Sequence, residues 1–222
     1  MKGLQVVEIF DSIEGEGIRT GMPVTFIRLA GCNLRCKYCD TLYAQNISDG
    51  TVMSIDEIVG KVNYKAVTIT GGEPLISPEV TELIDKLNEQ GKYINIETNG
   101  SINIIPFIAS LRAGKGFFTM DYKCACSGMT SEMLESNFDL LDNNDVVKFV
   151  VSNLDDFALI RAFLLNHSKF RGTIFVSPCY GTIEMSKVVD EVKILVNKYP
   201  KFDIRFQVQL HKIVYPVDMR GV

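Results

Sequence analysis

Three cysteines, Cys32, Cys36 and Cys39, fall in GCNLRCKYCDT with the spacing CxxxCxxC. Three more, Cys124, Cys126 and Cys179, include an unusual CxC pair. In a cytosolic chain, clustered thiols read as metal ligands or redox groups rather than as a disulfide scaffold. A structural zinc ion wants four closed ligands in paired spacings. Here no fourth Cys or His stands near the triplet, and the histidines are His167 and His211. A [4Fe–4S] cube normally takes four thiolates. Three would leave one iron open to another ligand, so iron–sulfur chemistry with an open iron fits the triplet. Zinc and free thiols are the alternatives.

A second polar constellation follows. Gly71-Gly72-Glu73-Pro74 comes directly after an apolar run, Thr98-Asn99-Gly100 after another, Ser177-Pro178 after a third, and His211 near the end. Those runs set the elements that must position the chemistry. Val24–Leu29, Ala66–Thr70, Tyr93–Thr98, Phe117–Tyr122, Val146–Val151, Thr173–Val176 and Phe202–Val208 read as strands. Between them, Ser54 and Glu57 form a capping box that opens a helix through about Val62. Ser77-Pro78 offers an N-cap and a first-turn Pro for a helix that Gly91 stops. Asp155–Asn166 and Ile183–Val196 carry further helical patterns. Alternating strands and helices imply βαβ units and a parallel sheet, with too few units for a full eight-fold barrel. A partial, open α/β barrel is the expected class. The carboxyl ends of its strands form one rim, where ligands bind, so the motifs converge on one composite site.

Composition sets outer limits. The chain has 222 residues, 23 Lys+Arg against 27 Asp+Glu and a net charge of −4. With no dense basic run, binding to nucleic acid or anionic lipid is not expected. No apolar run approaches the roughly 20 residues that span a bilayer. The opening MKGLQVVEIFDSIEGEG lacks a secretory pattern, so a cytoplasmic address and a single domain over 1–222, with the cysteine loop at about 30–50, are expected.

CxxxCxxC after a first strand, with GGEP after a second, resembles the radical S-adenosylmethionine (SAM) superfamily. The resemblance implies one [4Fe–4S] cluster per chain on Cys32, Cys36 and Cys39, whose free iron chelates the amino and carboxylate groups of SAM. The reduced cluster then cleaves SAM to a 5′-deoxyadenosyl radical. Tyr38 resembles the aromatic residue beside the adenine, and Gly72 and Glu73 the motif at the methionine amino group. Because the resemblance implies one cluster only, Cys124, Cys126 and Cys179 are expected to be reduced thiols behaving as small hydrophobes.

Within that superfamily, EIFDSIEGEGIRTGMPVTFIRLAGCNLRCKYCDT, TGGEP, ETNG and QLHK are similar to the 7-carboxy-7-deazaguanine synthase family, over nearly the whole chain. That family has a shortened TIM-like barrel, forms homodimers and requires Mg²⁺. It turns 6-carboxy-5,6,7,8-tetrahydropterin into 7-carboxy-7-deazaguanine with loss of ammonia, SAM being regenerated. The resemblance places substrate contacts at Ile13, Glu14, Gly15, Glu16, Arg28, Thr70, His211 and Val222. It places Mg²⁺ at Thr41, and SAM contacts at Tyr38, Cys39, Asp40, Gly72, Glu73, Asp121, Tyr122, Lys123, Ser177, Pro178, Cys179 and Tyr180. Chemistry supports several of these. A Glu16 carboxylate suits paired N–H donors on a guanidine-like edge. Arg28 lies in an otherwise apolar strand and needs a partner, either the substrate carboxylate or Glu14, Glu16 or Glu97. Two departures stand out: Glu14 replaces a common Gln, and Asp121-Tyr122-Lys123 replaces a common Ser-Pro-Lys.

Two other classes bear on the same motifs. An activase that installs a glycyl radical in a partner protein is also a short radical SAM protein, but usually carries Asn after the third cysteine and lacks the GEG segment. A non-catalytic iron–sulfur module would close its cluster and has no use for GGEP. An enzyme needs an electron donor, for which a flavodoxin-like protein is expected.

Overall fold

The computed structural model describes residues 3–216 and 219–222. Nine strands form one sheet: β1 (Leu4–Ile13), β2 (Pro23–Leu29), β3 (Thr51–Met53), β4 (Ala66–Gly71), β5 (Tyr93–Thr98), β6 (Lys115–Tyr122), β7 (Val146–Val151), β8 (Thr173–Pro178) and β9 (Asp203–Phe206). Their spatial order is β3-β1-β2-β4-β5-β6-β7-β8-β9. From β2 through β9 neighbours run parallel, while β1 pairs antiparallel with β2 and β3. The edge strands β3 and β9 do not pair with each other, so the barrel is partial, as the seven-strand reading implied. Helices α1 (Ile55–Val59), α2 (Val80–Glu89), α3 (Ile105–Ala113), α4 (Asp156–Asn166) and α5 (Met185–Lys198) cover the outer face, and α6 (His211–Val214) follows β9.

Strand alternation sorts the two faces. Ile27, Leu29, Val67, Ile69, Ile94, Ile96, Phe118, Met120, Val147 and Phe149 join one core with the buried stripes of the helices, such as Leu83, Ile84 and Leu87 of α2. The intervening residues face inward and are polar. Register pairs Arg28 with Thr70, Glu97 with Thr119, and Asp121 with Lys148 across neighbouring strands. Near the amino ends of the strands this face is apolar, with Tyr93, Phe117, Val146 and Phe175 packed together.

Some expectations shift. The Ser54–Glu57 capping box forms, but α1 ends at Val59, where Gly60 caps it. Ser77-Pro78 makes a turn before α2 rather than capping it by a side chain, and Glu79 is the N-cap residue. The last strand is shorter than Phe202–Val208, and Gln207 turns inward instead. Its amide bonds Gly17 and Thr20, which anchors the loop between β1 and β2 inside the partial barrel. Strands β1 and β3 and helix α3 had no counterpart in the sequence reading.

The β1–β2 loop is pinned by one buried pair. Arg19 donates to Glu14 Oε2 at 2.8 Å, Thr68 Oγ1 at 2.6 Å and the Tyr93 carbonyl at 2.6 Å. Its guanidinium lies 5.0 Å from the Tyr93 ring centroid. Burial, reinforced by Glu97 and opposed by Arg19 and Thr68, pushes the Glu14 carboxyl up to about 7. Folded Glu14 therefore holds its proton more tightly than the unfolded chain does. Its contribution to stability is present below about pH 4.5 and is lost as pH rises through about 7. Replacing Arg19 by Met leaves that carboxyl without its cation. We expect the loss to be smallest below about pH 7, where Glu14 holds its proton, and to grow toward about 3–5 kcal/mol as pH rises above it. Urea denaturation across pH checks this, and a pH-independent loss would contradict it.

Candidate active site

The cavity inside the barrel has a volume of about 860 Å³ and opens at the carboxyl ends of the parallel strands. Its upper wall is the loop after β2. That loop is tied down by backbone bonds from Gly31 to Ala44 and from Cys32 to Gln45, and by the Glu73 N–H bond to the Gly31 carbonyl, 2.8 Å long. Gly31, at φ +98°, makes the turn that a side chain would resist. A Cβ on Gly72 would collide with the Gly31 carbonyl, so glycine there lets the two rim loops touch. Cys32, Cys36 and Cys39 line the wall they create, together with Tyr38, Asp40 and Thr41.

Lower down, four charges alternate. Glu16 Oε2 accepts from Lys148 Nζ at 2.8 Å, Lys148 Nζ lies 3.7 Å from Asp121 Oδ2, and Lys123 Nζ meets that same oxygen at 2.9 Å. Burial works against charge at Lys148, but Glu16, Asp121 and Glu97 override it and hold the ammonium well above its ordinary value. Burial likewise opposes the Asp121 carboxylate, and Lys123 and Lys148 more than offset it, holding it below the usual range. Glu16 Oε1 and Asp121 Oδ1 are buried without a hydrogen-bond partner among the described residues.

The side walls carry more paired groups. Arg28 Nε bonds Glu8 Oε1 at 2.7 Å, which also accepts from the Tyr43 hydroxyl. Thr70 donates to Glu97 at 2.8 Å. At the mouth, Asp40 accepts from Lys212 at 2.9 Å and from the Thr41 hydroxyl at 3.0 Å. Partial burial disfavours the Asp40 anion, yet Lys212 and Thr41 hold its carboxyl down at about 2. His211 packs against Gly15, where a Cβ would strike its ring. Burial pushes the imidazole below its ordinary value, against the pull of Glu16.

Of the expected site residues, Ile13, Glu14, Gly15, Glu16, Arg28, Cys32, Cys36, Tyr38, Cys39, Asp40, Thr41, Thr70, Gly72, Asp121, Lys123, Cys179, Tyr180, His211 and Val222 all line this one cavity. Four do not. Tyr122 points outward because it alternates with Asp121 and Lys123. It packs on Phe138, Phe149 and Phe163 and bonds Glu135. Pro178 faces outward by the same alternation; Ser177 shares the inward parity of Phe175 but is buried short of the cavity surface, its hydroxyl without a partner among the described residues. Glu73 is buried and spends its carboxylate on Leu75 N, Asn99 N and the Thr98 hydroxyl. Glu14 is committed to Arg19 and Thr68, and one Glu16 oxygen to Lys148. The partner of Arg28 is Glu8, which the sequence reading did not consider. Asn99, of the Thr98-Asn99-Gly100 rim segment, and Glu97 line the wall as well, and Lys148, Thr119, Lys212 and Tyr43 do so unforeseen. For Lys148 the signal was present: a lysine inside VVKFVV poses the same question as Arg28 inside VTFIRL.

The triplet suits an iron–sulfur cube. All three thiols are free and reach the cavity. Among the described residues no three His, Cys, Asp or Glu side chains converge on a single ion. A cube differs from a single ion in spreading its thiolates over separate irons. Cys32 Sγ accepts from Leu34 N at 3.4 Å and Asn99 Nδ2 at 3.9 Å, donors of the kind that stabilise a cluster sulfur. Burial raises the free Cys32 and Cys36 thiols, and iron would deprotonate them outright. The unpartnered Tyr38 hydroxyl adds a polar group beside them. At Cys124 and Cys126 burial likewise raises the thiols, Cys126 to about 11, but there each Sγ contacts a backbone carbonyl, an arrangement that favours the thiol form.

Residues 26–118 match the Radical SAM superfamily. The 7-carboxy-7-deazaguanine synthase of Clostridium acetobutylicum is 41% identical over 225 residues, covering 98% of this chain and 99% of that protein. That of Methanospirillum hungatei is 38% identical over 221 residues, covering 96% and 86%. The crystal structure of QueE from Escherichia coli shares the fold, with a TM-score of 0.68 at 20% identity, over 92% of this chain and 94% of that one. Fold and triplet thus define a radical SAM enzyme, which uses a [4Fe–4S] cluster and SAM. The chain belongs to the 7-carboxy-7-deazaguanine synthase family and acts in 7-deazapurine biosynthesis.

Replacing Cys32, Cys36 or Cys39 by Ala is expected to abolish iron loading, whereas Cys124→Ala or Cys126→Ala leaves one cluster per chain. Iron and sulfide analysis checks this; a second cluster lost with Cys124 would overturn the single-cluster reading.

Proposed function

We propose that this chain converts 6-carboxy-5,6,7,8-tetrahydropterin to 7-carboxy-7-deazaguanine with loss of ammonia, using SAM catalytically. One observation carries the reading: the three cluster thiols and the Glu16–Lys148–Asp121 charge network open into one cavity. When bound, the cluster and SAM supply the 5′-deoxyadenosyl radical that starts the ring contraction. The residues hold the substrate to it. Glu16, paired through Oε2 with Lys148, offers Oε1 to the guanidine-like edge of the pterin. Arg28, fixed through Nε by Glu8, presents the rest of its guanidinium to the substrate carboxylate. Thr70, held by Glu97, and His211, neutral and seated on Gly15, flank the ring. Ile13, Gly15 and Val222 complete the substrate wall. Tyr38, Cys39, Asp40, Gly72, Asp121, Lys123, Cys179 and Tyr180 face SAM. Glu73 serves from behind, by holding the GGEP turn.

A single Thr41 hydroxyl is a weak Mg²⁺ ligand, but Mg²⁺ keeps several waters and borrows ligands from its substrate. In this reading Thr41 gives its hydroxyl oxygen to Mg²⁺ while donating to Asp40. A flavodoxin-like electron donor, a homodimer and a cytoplasmic address belong to the same proposal. In its support, no helix of the described residues is long and apolar enough to cross a membrane.

Anaerobic, iron-reconstituted protein with reductant, SAM, Mg²⁺ and the carboxypterin should release ammonia and the deazaguanine, without stoichiometric 5′-deoxyadenosine. SAM cleavage with no change in the pterin would refute the substrate. Thr41→Ala should cost up to roughly a hundredfold in rate at limiting Mg²⁺, with SAM binding largely kept. Unchanged Mg²⁺ dependence would remove Thr41 from the site.

A further inference from the structure

Among the described residues, Lys148 is the one cation that pairs with both carboxylates that have a spare buried oxygen. Its Nζ is 2.8 Å from Glu16 Oε2 and 3.7 Å from Asp121 Oδ2. Its side chain is 13% exposed, against 10% for Glu16 and 15% for Asp121. The second oxygen of each carboxylate, Glu16 Oε1 and Asp121 Oδ1, is buried and without a hydrogen-bond donor among the described residues. A buried, unsatisfied carboxylate oxygen is costly, so each is kept for a donor that arrives with a ligand. The two carboxylates have different neighbours. Asp121 is close enough to the triplet to raise the Cys36 thiol and the Tyr38 phenol. Glu16 instead acts on His211, across the cavity beside Gly15.

We infer that Lys148 is a positioning residue shared by two subsites: it holds Glu16 oriented for the substrate and Asp121 oriented for SAM, and so sets the affinity of both. This rests on the substrate reading given above for the Glu16 side alone. No ligand need touch Lys148 itself. Its ammonium donates a hydrogen bond to Glu16 Oε2 and forms a 3.7 Å ion pair with Asp121 Oδ2, which favours the rotamers that present the other two oxygens. It also offsets the repulsion among three acids that crowd one space, Glu16 from the loop, Asp121 from β6 and Glu97 from β5. Lys123 also meets Asp121, at the same Oδ2, whereas among the described residues Glu16 pairs with Lys148 alone. The substrate side is therefore the more dependent of the two.

The test compares four variants of cluster-loaded protein by two readouts: KM for the carboxypterin, and the dissociation constant of SAM by equilibrium binding without pterin. Lys148→Met, which keeps the apolar stem, should raise KM roughly ten- to a hundredfold, the scale of one charge-assisted hydrogen bond. It should weaken SAM several-fold. Glu16→Gln should move KM alone, and Asp121→Asn the SAM constant alone. Lys148→Arg, which keeps the charge, should recover most of both and serves if the Met variant fails to fold. A Lys148→Met protein that lowers kcat with both constants unchanged is merely misfolded in part, and would overturn the inference. So would an effect on only one ligand, or an Arg variant as poor as Met. Failure of the wild type to turn over the pterin sinks the substrate reading instead, and leaves the SAM measurement standing.

Discussion

A charge buried away from water must be paired, and the inner face of this sheet is built around that constraint. Alternation along the parallel strands turns every second residue inward, and the sequence fills those positions with Arg28, Thr68, Thr70, Asn95, Glu97, Thr119, Asp121 and Lys148. Among the described residues three of the four charges in that set are ion-paired, and Glu97 accepts instead from the Thr70 hydroxyl. Arg28 has Glu8, Lys148 has Glu16 and Asp121, and Glu14 from the loop has Arg19. Such pairs add little net stability, because desolvation offsets most of their attraction. Their value is geometric. Each pair fixes one edge of a side chain and leaves the other edge for a ligand, as with the Arg28 guanidinium and the second oxygen of Glu16.

The pairing also explains how an open barrel keeps a defined cavity. A sheet of this size without an eighth βα unit leaves β9 unclosed, and the β1–β2 loop occupies the interior. Gln207, just past β9, takes Gly17 and Thr20. Arg19 reaches through to the amino ends of β4 and β5, and stacks over Tyr93 and Phe117. The loop that plugs the barrel thereby delivers Glu14, Gly15 and Glu16 into the site. Shape and binding are consequently carried by the same nine residues, Glu14–Met22, and a change at Arg19 reaches both.

What could be read from residues alone divides along physical lines. Strands buried on both sides are dense in β-branched and aromatic residues, so β5 and β7 were legible to the residue. The cysteine triplet and the glycine pairs were legible because their chemistry tolerates few substitutes. Strand β1 was not, since LQVVEIFDSI is half-buried throughout and shows no clean alternation. Helix α3 was hidden because IPFIASLRA is apolar nearly all round, with Phe107 and Leu111 as its buried residues. Pairing partners were hardest, because Arg28 with Glu8, and Lys148 with Glu16, join residues 20 and 132 positions apart. Composition says that a buried Arg needs an acid, and only the register of β1 on β2, which sets Glu8 opposite Arg28, says which acid it is.

The GGEP turn shows the same limit from the other side. A glutamate after two glycines at a strand end invites the reading that its carboxylate meets a bound ammonium. Here that carboxylate is enclosed and already accepts three hydrogen bonds, two from backbone N–H groups and one from the Thr98 hydroxyl. Burial still pushes the acid up to about 7, because the donors offset only part of its desolvation. Two of the donors, Thr98 and Asn99, belong to the end of β5, so Glu73 ties that end to the turn after β4. That tie sets how far Gly71 and Gly72 lean toward the cysteine loop, and it aligns Asn99, whose amide donates to Cys32 Sγ. The glutamate therefore acts on the triplet through two neighbours, and the surface left to meet a ligand at this motif is the backbone of the glycines.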